Sequence, residues 1–142
     1  MKKIIGLLLI LIATINFAVG QKVKASPRES VNGKINEAAI SIDYGSPSVR
    51  GRKIWGALVP FGKIWRAGAN EATTFKTDED IMIKGKKLPA GNYSLFIIPN
   101  EKECIVIFNK KTDQWGAYNY SQDLDQIYQY FYLHFPLLIH LK

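Results

Sequence analysis

Alternation of hydrophobic and polar residues with a period of two dominates the central part of the chain. In the segment 38–44, aliphatic and aromatic residues alternate with Ser41 and Asp43. This pattern is typical of a β-strand that has one buried and one solvent-exposed face. A similar alternation at 31–35 predicts the preceding strand, and a turn is expected at 36–37.

Two later segments, 93–98 and 104–109, are apolar on both faces, which predicts neighbouring central strands. Further short strands are predicted at 73–77, at 81–83 and in a short piece that ends at Leu88. Short helical turns are expected at 53–59 and 112–115. The predicted fold is therefore all-β, an antiparallel β-sandwich or barrel-like domain with a long irregular loop at about 45–72.

The N-terminal segment differs from the rest of the chain. Lys2 and Lys3 precede an almost unbroken apolar segment, 4–19, which ends in small residues. These features together describe a secretory signal peptide, predicted to span 1–20. A retained membrane anchor is the alternative, but a helix over 4–19 would be about 24 Å long, short of a bilayer core of roughly 30 Å. We therefore expect cleavage and export, to the periplasm or beyond, of a protein that does not span a membrane.

Length and charge add little about partners. The chain has 142 residues, of which 47% are hydrophobic, and this suits a single domain, predicted at 21–127. Its formal charge of +7 becomes +5 without the two lysines of residues 1–20. An exported basic protein is not expected to meet nucleic acid, and an anionic glycan or a lipid headgroup is the partner that the charge would suit. The basic residues are scattered, however, and such a charge also serves solubility alone.

The residues that carry redox or metal chemistry are scarce. Cys104 is the single cysteine, which excludes an intramolecular disulfide, and its apolar neighbours predict an inert buried thiol. His134 and His140 have no acidic or cysteine partner at a metal-ligand spacing. No metal and no cofactor are predicted, and the chain has no nucleophile-elbow, zinc-protease or dinucleotide motif.

The segment 43–75 holds three of the four arginines, two of the three tryptophans and several glycines. A long irregular connection of this kind is more often functional than idle. The binding residues predicted in it are Arg50, Arg52, Trp65, Arg66, Asn70 and Glu71. The arginines would donate hydrogen bonds to an anionic or carbohydrate-like ligand, Trp65 would provide a flat platform, and Asn70 would orient the ligand.

Two other classes of function stay open. Asp43 and Glu71 are candidates for the carboxylate pair of a hydrolase, with Arg66 stabilising developing negative charge. Against this, Asp43 is expected on the solvent-exposed face of its strand and Glu71 in an ion pair with Arg66. The third possibility is a purely structural component of the cell envelope.

Several stretches of the chain are distinctive, namely 26–28 (SPR), 43–52 (DYGSPSVRGR), 58–73 (LVPFGKIWRAGANEAT), 88–96 (LPAGNYSLF), 108–110 (FNK) and 114–118 (QWGAY). Together they resemble an exported bacterial family known as domain of unknown function 2911. The resemblance runs in order from about residue 26 to about 125. It implies a secreted, mostly β domain, and it assigns no activity.

After about Ile127 the chain departs from the family pattern, in which further strands follow. Residues 128–142 contain five aromatic side chains and show neither alternation nor a helical period. We expect an atypical tail there, produced by a shifted reading frame or a truncated end. The loss of one or two strands would leave open sheet edges.

Overall fold

The computed structural model describes the main chain of residues 24–131 and the side chains of residues 24–127. The predicted signal peptide and residues 132–142 of the predicted tail lie outside this range. The strands are β1 (Arg28–Ile35), β2 (Ala38–Gly45), β3 (Thr73–Thr77), β4 (Ile81–Ile83), β5 (Lys86–Leu88), β6 (Gly91–Pro99), β7 (Cys104–Asn109) and β8 (Asp125–Phe131). Over residues 24–131, no helix has the length and apolar character that a membrane span requires.

Six of the strands form one antiparallel sheet in the order β1-β2-β3-β6-β7-β8, and β4 and β5 form a separate two-stranded sheet. β1 and β2 are joined by a tight turn in which Asn36 has a φ of 53°. Asparagine tolerates this left-handed conformation better than most residues, so the turn forms with little strain. β6 and β7 lie inside the sheet, as their apolar patterns predicted, and β1 lies at one edge.

One face of the large sheet, termed the hairpin face, packs against β4 and β5. Ile40, Phe75 and Phe108 project from this face and form one buried cluster with Ile81 and Leu88 of the hairpin. The rings of Phe75 and Phe108 meet edge to face, with centroids 5.0 Å apart. Full burial of side chains of this size contributes about 1.5–3 kcal/mol each, so this cluster is a main source of stability.

The opposite face, termed the loop face, is covered only in part. Phe96 and Ile107 are fully buried on it beneath Ile64 and Tyr120, which belong to the two long connections of the chain. The hydrophobic cover therefore lies over β6 and β7.

Over β2 and β3, the loop face carries polar side chains instead. Asp43 pairs with Thr74 and Ser41 pairs with Lys76 in the ladder between these strands. Residues that pair directly across a ladder share a face, and these four lie opposite the hairpin-face cluster. This uncovered half of the sheet is where the candidate site lies.

The all-β, sandwich-like prediction is confirmed, and the sheets do not close into a barrel. Among residues 24–131, the helical element is a 3-10 turn at Gln122–Leu124. The segment 53–59 forms a turn instead, in which Trp55 and Val59 pair in an isolated bridge, and the segment 112–115 is irregular up to Trp115, which pairs with Glu71. β8 continues four residues past the predicted domain end at 127 and pairs with β7 along its length.

Candidate ligand-binding groove

The loop 66–72 lies against the end of β2. Ala69 donates its main-chain N–H to the carbonyl of Gly45 at 3.1 Å. A Cβ atom at Gly45 would lie 2.1 Å from the carbonyl oxygen of Ala69, so glycine is required for this approach. Ala67 and Asn70 have φ values of 57° and 63°, which curl the loop into a compact unit before β3 begins.

The end of this loop pairs with the segment 114–116. Glu71 and Trp115 lie directly opposite each other in an antiparallel bridge. Main-chain hydrogen bonds of 3.0 and 3.1 Å flank the bridge on either side. In such a non-hydrogen-bonded pair the two side chains share a face, so Glu71 and Trp115 project to the same side of the bridge.

An open groove of about 490 Å³, termed the Trp115 groove, lies at this bridge on the loop face. It is lined by Lys24, Arg28, Glu71, Ala72, Thr74, Thr112, Asp113, Gln114 and Trp115. Trp115 is 54% exposed, although tryptophan is usually buried. An exposed flat ring surrounded by polar groups is typical of a surface that binds another molecule.

Charged side chains fix the geometry of the groove. Lys24 Nζ donates to Glu71 Oε1 at 2.8 Å, and both side chains stay well exposed. Arg28 donates from Nη2 to the carbonyl of Asp43 at 3.1 Å and from Nη1 to the carbonyl of Ala72 at 3.5 Å. The hydrogen bond from Lys24, followed by a bond from its own main chain, lowers the pKa of Glu71. Glu71 is therefore ionised at neutral pH.

Gln114 is the most buried polar residue in the wall of the groove, with 5% of its surface exposed. Its Nε2 donates to the carbonyl of Lys111 at 2.8 Å, while its Oε1 has no partner among the described residues. A buried carbonyl oxygen without a hydrogen bond costs about 1–3 kcal/mol. Gln114 Oε1 is thus a buried acceptor without a partner in the described part of the chain, behind the surface of the groove.

A buried amide holds the segment 110–121 in place. Asn109 is fully buried at the end of β7. Its Nδ2 donates to the carbonyl of Ser121 at 2.8 Å and to Asp125 Oδ1 at 2.7 Å, and its Oδ1 accepts the N–H of Lys111 at 2.9 Å. The carbonyl of Lys111 in turn accepts the bond from Gln114. The network therefore leads from the sheet to the wall of the groove.

Of the predicted binding residues, Glu71 lies in the groove, and Arg50 and Arg52 do not line it. Arg52 donates to the carbonyls of Val49 and Ser48 at 3.0 and 2.7 Å, so it closes its own loop. Arg50 donates to the carbonyl of Ala25 at 3.4 Å. These two arginines hold main chain in place.

Trp65, Arg66 and Asn70 do not line the groove either. Trp65 is half-buried, and its ring meets that of Trp55 edge to face with centroids 5.6 Å apart. Asn70 donates from Nδ2 to the carbonyl of Ser26 at 3.2 Å. Arg66 approaches Gly116, and its Nε is buried without a partner among the described residues.

The expected ion pair of Glu71 with Arg66 is wrong. Lys24 is the cation on Glu71, whereas the guanidinium of Arg66 lies against Gly116. Asp43 lies on the loop face, as predicted, and its carbonyl rather than its carboxylate meets Arg28. Across residues 24–131, His, Cys, Asp and Glu side chains form no group of three that could hold a metal ion.

The prediction from residue types omitted Arg28, Gln114 and Trp115. Arg28 precedes the arginine-rich segment 43–75, and Gln114 and Trp115 follow it. The folded sheet brings these three residues together. A signal was nevertheless present, since Arg28 belongs to the SPR stretch and Gln114 and Trp115 belong to the QWGAY stretch.

The fold and groove define a sandwich-like β-domain with an open polar groove on one sheet face. Residues 26–130 match the family described as protein of unknown function (DUF2911), so the chain belongs to that family. Searches of curated proteins and of solved structures found no match.

Proposed function

We propose that this protein is an exported, non-catalytic binding module of the cell envelope and that it holds a carbohydrate ligand in the Trp115 groove. The signal-peptide pattern of residues 1–20 supports export. The open shape and polar lining of the groove support binding of a molecule that stays partly in solvent.

The observation that carries the proposal is the pair of Glu71 and Trp115. The indole ring is 54% exposed and lies opposite an ionised carboxylate in the same bridge. A sugar ring offers an apolar face that stacks on an indole, and hydroxyl groups at its rim that donate to carboxylate and amide oxygens. The exposed carboxylate of Glu71 is such an acceptor.

The charge of the groove favours a neutral ligand over an anion. Its lining contains two cations, Lys24 and Arg28, and two anions, Glu71 and Asp113. An anion in this groove would meet two carboxylates as well as the two cations, so it would gain little net Coulomb energy. A neutral ligand with hydroxyl groups can donate hydrogen bonds to the two carboxylates and accept them from the two cationic side chains.

The hydrolase alternative has less support from the geometry. A general acid needs a raised pKa, whereas Lys24 lowers the pKa of Glu71. Asp43 is absent from the lining of the groove, so the two carboxylates do not flank one space there. The purely structural alternative gives no role to an exposed tryptophan in a groove.

The test is a glycan array followed by calorimetric titration of the glycans that bind. It compares the protein expressed from its full sequence with the variants Trp115→Ala and Glu71→Gln. We expect Trp115→Ala to weaken binding about tenfold or more, since stacking on the ring is lost. Met82→Ala is the matched control, because Met82 is 65% exposed and lies outside the groove.

Two results would overturn the proposal. One is the absence of any glycan that binds the unaltered protein. The other is a Trp115→Ala variant that binds as well as the Met82→Ala control. Circular dichroism of each variant separates lost binding from lost folding.

A further inference from the structure

A second open groove, of about 530 Å³, lies on the loop face farther along the same strands. We term it the lysine groove. Its polar lining comprises Asn32, Lys34, Ser41, Lys76 and Asp78, on β1, β2, β3 and the turn after β3.

The strand register joins the two grooves. Thr74 lines the Trp115 groove and Lys76 lines the lysine groove. They are two positions apart on β3, so they share a face and lie about 7 Å apart. Asp43 pairs with Thr74 and Ser41 pairs with Lys76, so the same step is repeated on β2. The two grooves therefore follow one another along a single open strip of the loop face.

The lysine groove has a different charge from the Trp115 groove. Lys34 and Lys76 are both exposed, and within residues 24–127 neither makes an ion pair. The single carboxylate of this lining, on Asp78, accepts the main-chain N–H of Ala39 at 2.7 Å. Two ammonium groups thus face the groove with one carboxylate that is already bound to the main chain.

We propose that the two grooves form one binding site for an acidic oligosaccharide. A neutral sugar ring of the chain stacks on Trp115, and a carboxylate, sulfate or phosphate group farther along the chain binds between Lys34 and Lys76. Asp43 lies on the strip between the grooves, which disfavours an acidic group there and fixes the order of neutral and acidic parts. This inference rests on the proposed carbohydrate binding and adds the class of carbohydrate.

The test uses pairs of oligosaccharides, one to six units long, that differ only in an acidic group, such as a uronate and its methyl ester. We expect the acidic member of a long pair to bind about tenfold more tightly than the neutral member, and high salt to remove this difference. The double variant Lys34→Gln, Lys76→Gln should lose the preference and keep the binding of neutral members. Lys86→Gln, Lys102→Gln is the matched control, because both lysines are exposed outside the grooves and the net charge changes equally.

The outcomes separate the two proposals. If neutral oligosaccharides bind in a way that depends on Trp115, but acidic members bind no more tightly, the proposal for the lysine groove is overturned and the proposed carbohydrate binding is not. An equal loss of acidic binding in the control double variant would overturn it too, because net charge would then be the cause. If the unaltered protein binds no member, both proposals are overturned.

Discussion

At the scale of single residues, the groove depends on a close approach of two main-chain segments. Gly45 and Ala69 touch so closely that a methyl group at position 45 would fall within the van der Waals radius of a carbonyl oxygen. This contact determines the position of the loop that carries Glu71. A glycine at the end of a strand therefore has a direct effect on the site.

We expect Gly45→Ala to lower the free energy of unfolding by roughly 2–4 kcal/mol, because the loop 66–72 must move away from β2. Urea unfolding measured by circular dichroism checks this value. Gly33→Ala is the control, since a Cβ at Gly33 would meet no atom within 4 Å. It should leave stability unchanged or raise it by up to about 1 kcal/mol. Equal effects of the two substitutions would contradict the steric explanation.

The ion pair in the groove makes a prediction about protonation. Lys24 lowers the pKa of Glu71, so in the Lys24→Gln variant that pKa should rise toward the ordinary glutamate value of about 4.3. A carbon-detected NMR titration of the carboxyl group measures it, and Lys102→Gln, outside the groove, should leave it unchanged.

The sign of the accompanying stability effect follows from the lowered pKa. The folded state favours the ionised carboxylate, so the contribution is present above the unfolded pKa and disappears as the pH falls through the folded pKa. The Lys24→Gln substitution should therefore reduce stability slightly at pH 7 and not at pH 2. An effect that grows as the pH falls would contradict the ion pair as its source.

At the scale of elements, a buried amide connects β7 to the segment that carries Trp115. Asn109 makes three hydrogen bonds, and its removal would leave several buried groups without partners. We expect Asn109→Ala to lower the free energy of unfolding by roughly 2–4 kcal/mol. In the Asn109→Ala variant, amide hydrogens of the segment 110–121 should also exchange faster than in the unaltered protein, and by a larger factor than those of the strands. Mass spectrometry measures this exchange.

Asn92→Ala is the matched control for the Asn109→Ala variant. Asn92 is an exposed asparagine on β6, next to Lys76 in the sheet. Its replacement should change stability by less than about 0.5 kcal/mol and leave exchange in 110–121 as it is. If Asn109→Ala behaves in the same way, the amide network does not hold the wall of the groove.

At the scale of the whole molecule, Cys104 reports on the integrity of the sheet. It is fully buried at the start of β7, and burial raises the pKa of its thiol. We expect iodoacetamide to modify Cys104 at least about a hundredfold more slowly in native protein than in urea. A Met82→Cys variant supplies an exposed thiol, which should react rapidly in the native state. Rapid modification of Cys104 itself would mean that β7 and β8 separate easily.

The two faces of the large sheet differ in how much of their surface is buried. The hairpin face buries a continuous apolar cluster, whereas the loop face is buried over β6 and β7 and open over β2 and β3. The alternation of Ser41 and Asp43 with isoleucines already predicted that β2 has a solvated side. It did not predict what lies above that side, because the covering loops have no period.

The local pattern along the chain determined the strands. β3 and β7 coincide with the predicted segments 73–77 and 104–109, since the side-chain period of two depends on residues close in sequence. The turn at Asn36 and the inner position of β6 and β7 could also be predicted from the sequence, because turn residues and apolar runs are local signals.

Only the tertiary structure decided which side chains meet. Residue type pointed to Glu71, which lines the groove, but also to Arg50, Arg52 and Trp65, which do not. The groove contains Lys24, Arg28 and Trp115 as well, which residue type did not indicate. The bridge between Glu71 and Trp115 joins positions 44 residues apart, and hydrogen bonds between distant main-chain segments leave no mark in composition. A long loop has many conformations of similar local energy, so its packing against the sheet selects the one that forms the site.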